Sequence, residues 1–334
     1  MTLFRWQRKA VVGLLLAVSV TAGCQDRSAV TAGSAAQAVE VHDVARTSLK
    51  NGELTLPNAI GSVKFAVIGD SGRGWTPQYE VAGQMVRFRE KFKFPFVIMV
   101  GDNIYEGPAT EEDYRRKFEG PYHELLDDGV KFFAVLGNHD DPRQVWYAPF
   151  NMKGERYYTF VPPEDVLTRL ATHVEFFAVD STNLDRTQLQ WLDERLGKSN
   201  ADWKIVFMHH PLYTSGRYRN SSRAHRWALE PILMRHHVDA VFSGHEHIYQ
   251  RTQLQNGIQY FVSGGAGSLR RGDGVPAPYI ARTYDEDFHF MLVEIQPAAL
   301  HFEAISRTGE IIDAATLTRG DTNVTRSTDT ADHR

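Results

Sequence analysis

The segment Phe96-Val-Ile-Met-Val-Gly-Asp-Asn-Ile-Tyr105 joins a run of apolar residues to a cluster of polar ones. The apolar half has the length and composition of a strand that is buried on both faces. Gly101 allows the chain to turn sharply after the strand, so that Asp102 stands at the strand's carboxyl end. In open α/β sheets, ligands bind beyond the carboxyl ends of the strands. The segment therefore predicts a buried strand with a ligand-binding residue at its end.

Four other segments repeat this arrangement of an apolar run followed by polar residues. The runs 64–68, 131–136, 204–208 and 240–242 lead into Gly69-Asp70, Gly137-Asn138-His139-Asp140, His209-His210 and Gly244-His245-Glu246-His247. If all these runs are strands of one α/β core, their polar ends are expected to converge on one rim.

The rest of the chain between residues 61 and 317 predicts helices and further strands. Amphipathic stretches around 79–92, 111–126, 187–196 and 224–237 are typical of helices, and the run 174–179 of another buried strand. Strands that alternate with helices indicate an α/β fold with a partly parallel sheet. The runs 259–262 and 290–295 follow each other without a helix-length connection, which predicts a strand-rich second half.

The polar clusters contain the side chains that hard to borderline metal ions prefer, namely Asp, Asn and His. Cys24 is the only cysteine, so a thiolate site is excluded. One carboxylate can bridge two ions that lie about 3.5–4 Å apart. Such a pair clamps the attacking and leaving oxygens of a phosphoryl displacement and lowers the pKa of bound water. The clusters together therefore predict a dinuclear phosphoesterase site.

Each cluster taken alone is a weak signal. Gly-Asp is usually a turn, and His210-Pro211 is ordinary loop sequence. His245 and His247 are a stronger signal, because alternate residues of an extended segment face the same side. Turn formation alone does not explain five such clusters in this order.

The motifs resemble the calcineurin-like metallophosphoesterase superfamily. They are Asp70-x-Gly72, Gly101-Asp102-x-x-Tyr105, Gly137-Asn138-His139-Asp140, Val206-x-x-His209 and Gly244-His245-x-His247. Most of the superfamily has Asp-x-His in the first motif, where this chain has Gly72. Purple acid phosphatases lack that histidine and have a tyrosine three residues after the second aspartate, where Tyr105 stands. The chain is thus similar to the purple acid phosphatases, especially the small tartrate-resistant type, over roughly residues 62–300. The resemblance implies a four-layer α/β/β/α sandwich with mixed sheets.

The resemblance also implies a set of metal ligands. A first ion, ferric iron coloured by tyrosinate charge transfer, would be bound by Asp70, Asp102, Tyr105 and His247. A second ion, which is ferrous iron, zinc or manganese in the family, would be bound by Asp102, Asn138, His209 and His245. Asp102 would bridge the two ions.

Other histidines near these ligands have competing interpretations. The resemblance makes His139 a donor to the substrate phosphate or to the leaving oxygen, and the alternative is a loop histidine that stabilises the turn at Asn138. His210 competes with His209 for the ligand role. The spacing from Val206 favours His209, and a strand turns the side chains of neighbouring residues to opposite sides.

Two loops are candidates for contact with substrate. Purple acid phosphatases often have a further histidine beyond the position of His209, but this chain has Gly216-Arg217-Tyr218-Arg219 there. Arginine binds phosphate in a bidentate manner but is not a general acid near neutral pH. Arg217 and Arg219 therefore either bind substrate or lie in a solvated loop. The segment Ser263-Gly264-Gly265-Ala266-Gly267 either offers N–H groups to phosphate or is a plain turn.

The leading hypothesis for function is the hydrolysis of phosphomonoesters by in-line attack of a metal-activated hydroxide. The alternatives are a phosphodiesterase or nucleotide pyrophosphatase on the same scaffold, and a non-catalytic phosphate-binding lipoprotein. The expected partner is a small phosphate ester or a nucleotide. The 37 basic and 41 acidic residues give a net charge of −4, which does not support a nucleic-acid groove, and no protein partner is evident.

The N-terminus has the composition of a targeting segment. Arg5, Arg8 and Lys9 precede the apolar stretch 10–20, which is shorter than the about 20 residues of a spanning helix. Thr21-Ala22-Gly23-Cys24 resembles a bacterial lipoprotein signal, which implies a lipid on Cys24 and an exported, membrane-anchored protein facing the periplasm or the cell exterior. An ordinary secretory signal is the alternative.

These observations divide the chain into four parts. We expect a signal peptide at 1–23, a lipidated N-terminus and flexible tether at 24–60, the catalytic domain at 61–317 and a disordered tail at 318–334.

Overall fold

The computed structural model describes residues 39–44, 53–163 and 171–319. The predicted signal peptide, Cys24 and residues 320–334 of the predicted tail lie outside this part of the chain. Within the described ranges, no helix combines the length and the apolar character that crossing a membrane requires.

Strands and helices alternate through the first two thirds of the described chain, and strands dominate the last third. The strands are β1 (Val39–Asp43), β2 (Val63–Ile68), β3 (Phe96–Met99), β4 (Lys131–Ala134), β5 (Tyr158–Phe160), β6 (Val174–Val179), β7 (Trp203–Met208), β8 (Ala240–Ser243), β9 (Tyr249–Thr252), β10 (Gln259–Ser263), β11 (Ile280–Tyr284), β12 (His289–Ile295), β13 (Ala299–Ser306) and β14 (Ile311–Arg319). The helices are α1 (Thr76–Lys91), α2 (Glu111–Tyr114), α3 (Gly120–Asp127), α4 (Arg186–Lys198) and α5 (Ser222–Arg235). A π-helical turn, Arg115–Glu119, joins α2 to α3, and two 3₁₀ turns follow at Pro142–Trp146 and Ala148–Phe150.

The strands form two seven-stranded mixed sheets. The first has the order β1-β14-β13-β12-β2-β3-β4, and the second has the order β11-β9-β10-β8-β7-β6-β5. In the first sheet β2, β3 and β4 are parallel, and in the second β6, β7, β8 and β10 are parallel. The remaining pairs are antiparallel.

The two sheets pack face to face, and helices cover their outer faces. Successive side chains of a strand point to opposite faces, so β2 contributes to two cores. Phe65 faces the second sheet, where its ring meets the ring of Phe176 edge-on at 5.2 Å. Ala66 points outward into a cluster that includes Val81 and Met85 of α1. A third cluster lies between the second sheet and helices α4 and α5.

The predicted four-layer α/β/β/α sandwich with mixed sheets is therefore confirmed. All the helices that the sequence predicts are present, within a few residues of the expected bounds. The strands predicted at the five polar clusters and at 174–179, 259–262 and 290–295 are also present.

The prediction of a flexible tether over 24–60 is wrong at Val39–Asp43. These residues form β1, an edge strand that pairs with Ala315–Arg319 of β14 over its whole length. The strand is held because Val39 and Val41 contact the core between the sheets, and because Asp43 forms an ion pair of 2.8 Å with the buried Arg251.

The predicted tail likewise begins too early. Thr318 and Arg319 are the last residues of β14, and they pair with Val39 and Glu40 of β1. The Arg319 guanidinium also binds Asp239 and lies 4.0 Å from the centroid of the Trp203 ring. A polar composition did not reveal that these residues have partners in the sheet.

Candidate metal centre

The polar clusters begin at sharp turns directly after the strands. Asp70, Asp102 and His245 have φ angles of 54°, 53° and 68°, in the left-handed region that is uncommon for residues with a side chain. Such conformations cost about 1–3 kcal/mol each and persist only where the surroundings hold them. Here the N–H of Asp70 donates to Gly101 O at 3.0 Å, and the N–H of His245 donates to Asp70 Oδ2 at 2.8 Å.

One half of the site is formed by Asp70, Tyr105 and His247. The Tyr105 hydroxyl donates to Asp70 Oδ1 at 3.1 Å and lies 3.1 Å from His247 Nε2. His247 Nε2 is 3.3 Å from Asp70 Oδ1. The ligand atoms of Asp70, Asp102 and His247 all lie within 4.8 Å of one another, and all three residues are buried. These residues are spaced as a metal site requires.

The other half is formed by Asn138, His209 and His245, again with Asp102. His209 Nε2 lies 3.0 Å from Asn138 Oδ1, 3.2 Å from His245 Nδ1 and 3.4 Å from Asp102 Oδ1. His209 Nδ1 lies 2.9 Å from Val100 O. A carbonyl oxygen only accepts, so Nδ1 carries the proton and Nε2 presents its lone pair to the site.

Burial and neighbouring charges shift the pKa values of the titratable groups in the site. Burial raises the pKa of Asp70 well above its usual range, and the Asp102 charge raises it further. Burial, together with the Asp70 and Asp102 charges, also raises the pKa of the Tyr105 phenol. Burial lowers the pKa of His245 to about 2 and that of His247 to about 3, so both imidazoles are neutral. Neutral imidazoles beside two buried carboxylates are a donor set that a metal ion would satisfy.

Gly72 and Tyr105 are in direct backbone contact. The Tyr105 N–H donates to Gly72 O at 2.9 Å, and the Gly72 N–H donates to Asp102 O at 3.2 Å. A Cβ atom at Gly72 would lie 2.0 Å from Asn103 O, which is far inside contact distance. The turn after β2 and the turn after β3 therefore fit together only because residue 72 has no side chain.

Comparison with known proteins places this site in a family. The calcineurin-like phosphoesterase profile matches residues 63–249, more than half of the chain. The chain belongs to the calcineurin-like phosphoesterase family.

Its named relatives are phosphatases. Purple acid phosphatase 4 of Arabidopsis thaliana is 30% identical to the chain, over 70% of this chain and 75% of the relative. Purple acid phosphatase 17 of the same plant is 30% identical, over 69% and 77%. Human tartrate-resistant acid phosphatase type 5 is 22% identical, over 78% and 92%. The predicted membership of the purple acid phosphatase group is confirmed, and the chain is a hydrolase of the metallophosphoesterase superfamily.

Solved structures show the same fold. GAP50, the anchor in the inner membrane complex of Plasmodium, superposes with a TM-score of 0.67 at 21% identity, over 78% of this chain and 90% of that one. The purple acid phosphatase PPD1 from yellow lupin superposes with a TM-score of 0.60 at 18% identity, over 80% of this chain and 55% of that one.

The structure places His139 and His210 differently with respect to this phosphoesterase site. The exposed His139 ring lies against Tyr105, with 4.9 Å between the ring centroids, and the His139 N–H donates to Asp102 Oδ1 at 3.0 Å. His210 Nδ1 lies 3.0 Å from Ser181 Oγ, and its ring stacks on that of His225 at 4.6 Å. His209 rather than His210 therefore lies beside Asn138 and Asp102, as the spacing predicts.

Arg217 and Arg219 contact groups other than the predicted metal ligands. Both are exposed; Arg217 lies 3.3 Å from Asp273, and Arg219 donates to Gly216 O at 3.1 Å. The loop that contains them contributes Tyr218 instead, whose ring centroid is 4.1 Å from that of His245. The sequence does not indicate Tyr218 as a site residue, because nothing in an irregular loop shows which of three adjacent side chains points inward.

The glycine-rich segment after β10 supports the site by close packing. A Cβ atom at Gly264 would lie 2.2 Å from Glu246 O and 2.7 Å from Asp70 Oδ2. The N–H groups of Gly264 and Ala266 already donate to Ile248 O and Gly69 O. Of the two interpretations of this segment, the structure favours a turn that lets the backbone approach Asp70.

Proposed function

We propose that this phosphoesterase hydrolyses phosphomonoesters with two metal ions bound where β2, β3, β4, β7 and β8 end. The observation that carries the proposal is the position of Asp102. Its carboxylate lies 3.4 Å from His209 and within 4.8 Å of the ligand atoms of Asp70 and His247, so it belongs to both halves of the site. A shared carboxylate is what a two-metal site needs.

The side chains at this site are suited to holding two metal ions. Asp70, Asp102, Tyr105 and His247 would bind the first ion, and Asp102, Asn138, His209 and His245 the second. Two buried carboxylates with few cationic partners are unfavourable without a counter-charge, and a bound cation supplies it. Because burial raises the pKa of the Tyr105 phenol, a strong Lewis acid would be needed to displace its proton and bind the phenolate, which favours ferric iron at Tyr105, with ferrous iron, zinc or manganese at the second position.

When bound, a pair of such ions neutralises charge on the phosphoryl oxygens and lowers the pKa of a water molecule. The chain's own residues orient the reacting groups. The Asp140 carboxylate accepts hydrogen bonds from the N–H groups of Gly137, Asn103 and Ile104 at 2.8, 3.0 and 2.9 Å. It thus joins the turn that carries His139 to the segment that carries Tyr105. We assign the exposed His139 ring to donating a hydrogen bond to the phosphate or to the leaving oxygen.

Metal analysis combined with an absorbance spectrum tests the proposal. The iron-loaded protein is expected to be violet, to contain two metal ions and to hydrolyse p-nitrophenyl phosphate. Tyr105→Phe should abolish the colour and retain the fold, whereas the matched change Tyr157→Phe, whose ring lies against Trp191, should leave the colour unchanged. A colourless protein that is fully active with zinc or manganese alone would refute the ferric site.

Two rival functions are separated by substrate turnover. A phosphodiesterase would hydrolyse bis(p-nitrophenyl) phosphate faster than p-nitrophenyl phosphate. A non-catalytic phosphate-binding protein would bind metal and hydrolyse neither ester at any pH.

We further propose that the protein is exported and anchored by a lipid on Cys24. This rests on the resemblance of the first 24 residues to a lipoprotein signal. Labelled palmitate should be incorporated into the wild-type protein and not into Cys24→Ser, and the wild type should fractionate with membranes. Equal release of both forms into the soluble fraction would favour an ordinary secretory signal.

A further inference from the structure

Arg270 lies beside the metal centre and has a guanidinium nitrogen that no other group satisfies. Its Nη1 atom is buried and has no hydrogen-bond partner among the described residues. Other arginines near the site are engaged: Arg217 pairs with Asp273 at 3.3 Å, and Arg73 pairs with Glu106 at 3.2 Å. A buried donor without a partner is uncommon and calls for an explanation.

The position of Arg270 connects it to both halves of the site. Its backbone N–H donates to His247 O at 2.9 Å. Its guanidinium lies 5.3 Å from the centroid of the Tyr218 ring, and that ring is 4.1 Å from the ring of His245. Tyr218 thus connects the guanidinium to His245, while the backbone of Arg270 is bonded to that of His247.

Glu246, the residue before His247, is a candidate counter-ion for this arginine. Its Oε1 accepts hydrogen bonds from the N–H of Tyr218 at 2.7 Å and the hydroxyl of Thr214 at 3.1 Å. Its Oε2 atom is buried without a partner in the described structure, so it does not bond to Arg270 either. A counter-ion role for Arg270 would affect stability without changing which ester is preferred, and experiment can separate the two roles.

We infer that Arg270 binds the non-bridging oxygens of the substrate's phosphoryl group and makes the site selective for monoesters over diesters. The inference rests on the proposed phosphoesterase function. A monoester presents a dianionic terminal phosphoryl group, and the planar guanidinium matches two of its oxygens. A diester carries one charge less, and its second ester substituent leaves two non-bridging oxygens where the monoester has three. Tyr218, whose ring contacts both Arg270 and His245, keeps the guanidinium on this side of the centre.

The test compares Arg270→Gln and Arg270→Lys with the control Arg271→Gln, in which the neighbouring exposed arginine is changed. Each metal-loaded protein is assayed for kcat/KM with p-nitrophenyl phosphate and with bis(p-nitrophenyl) phosphate. Each is also titrated with inorganic phosphate, and its metal content and melting temperature are measured. Arg270→Gln removes a charged hydrogen bond to the substrate. The loss of its free energy should lower the monoester kcat/KM about 10- to 100-fold. The diester value should change less than about threefold, because a monoanion with two non-bridging oxygens offers Arg270 less negative charge than a dianion with three.

Arg270→Lys retains the charge and should therefore give an intermediate ratio of monoester to diester turnover, even if Arg270→Gln fails to fold. The inference is overturned if the ratio and the affinity for phosphate stay at wild-type values in both variants. It is also overturned if both activities fall together with metal content, because Arg270 would then only hold the site together. If the wild-type protein hydrolyses neither ester, the proposed function fails, and the phosphate titration still reports whether Arg270 binds the anion.

Discussion

At Asp102 the backbone is left-handed, and the side chain accepts a hydrogen bond from the turn after β4 and lies against His209 of the second sheet. A substitution here would disturb both sheets, because the carboxylate contacts the ends of strands in each of them. The residue is therefore the most informative single position for testing the two-metal arrangement.

We predict that Asp102→Ala removes both metal ions together. Loss of a bridging ligand lowers the affinity for both ions, whereas loss of a ligand to one ion would lower mainly the affinity for that ion. Metal content per chain, measured by elemental analysis after gel filtration, should fall from two to near zero. Asp127→Ala, at an exposed position near the end of α3, is the matched control and should retain both ions. If Asp102→Ala still bound one metal ion per chain, Asp102 would not be a ligand shared by both ions.

At the scale of residues, the sequence predicted which side chains come together at the centre. Asp70, Asp102, Asn138, His209 and His245 each follow a strand almost directly, so strand order and a turn are enough to place them. Arg270 and Tyr218 could not be predicted in this way. They lie in irregular loops that have no periodicity, and their inward direction depends on contacts between segments about 50 residues apart in the sequence.

At the scale of elements, the edge strand β1 shows where composition misleads. Val-Glu-Val-His-Asp alternates apolar and polar residues over only five positions, too few to distinguish a strand from a linker. Its stability comes from β14, which lies some 270 residues later in the chain. The buried parallel strands, in contrast, could be predicted because each has a continuous apolar run of its own.

We predict that β1 contributes to the stability of the fold. A chain that begins at residue 37 should unfold at the same urea concentration as a chain with the whole N-terminus. A chain that begins at residue 53 should lose about 2–4 kcal/mol, because it loses the contacts of Val39 and Val41 and the Asp43 ion pair with Arg251. Equal unfolding midpoints for the two truncated chains would show that β1 only covers the edge of the sheet.

At the scale of the whole molecule, the two sheets enclose polar groups as well as apolar ones. His289 at the start of β12 is fully buried, and neither of its ring nitrogens has a hydrogen-bond partner among the described residues. Burial lowers its pKa to about 4. The layered architecture was predictable from the alternation of strands and helices, but a buried histidine within an apolar strand gave no sign of its environment.

We predict that His289 makes the fold sensitive to acid. Its pKa in the folded state lies below that of the unfolded chain, so its contribution to stability is present above about pH 6.5 and is lost as the pH falls towards 4. The difference corresponds to a loss on the order of 3 kcal/mol between pH 7 and pH 4. His289→Leu is similar in volume and does not titrate, so its free energy of unfolding should fall less over the same interval. Parallel pH profiles for the two proteins, measured by urea unfolding, would contradict this role.

The backbone contact between Gly72 and Tyr105 has a consequence for how such an enzyme can change over evolutionary time. A chain with histidine at position 72 would not have this fit between the two turns, because a Cβ atom there would overlap the carbonyl of Asn103. A single Gly72→His change is therefore blocked by the segment that carries Tyr105. Laboratory evolution of a histidine at position 72 would have to rebuild residues 102–105 first.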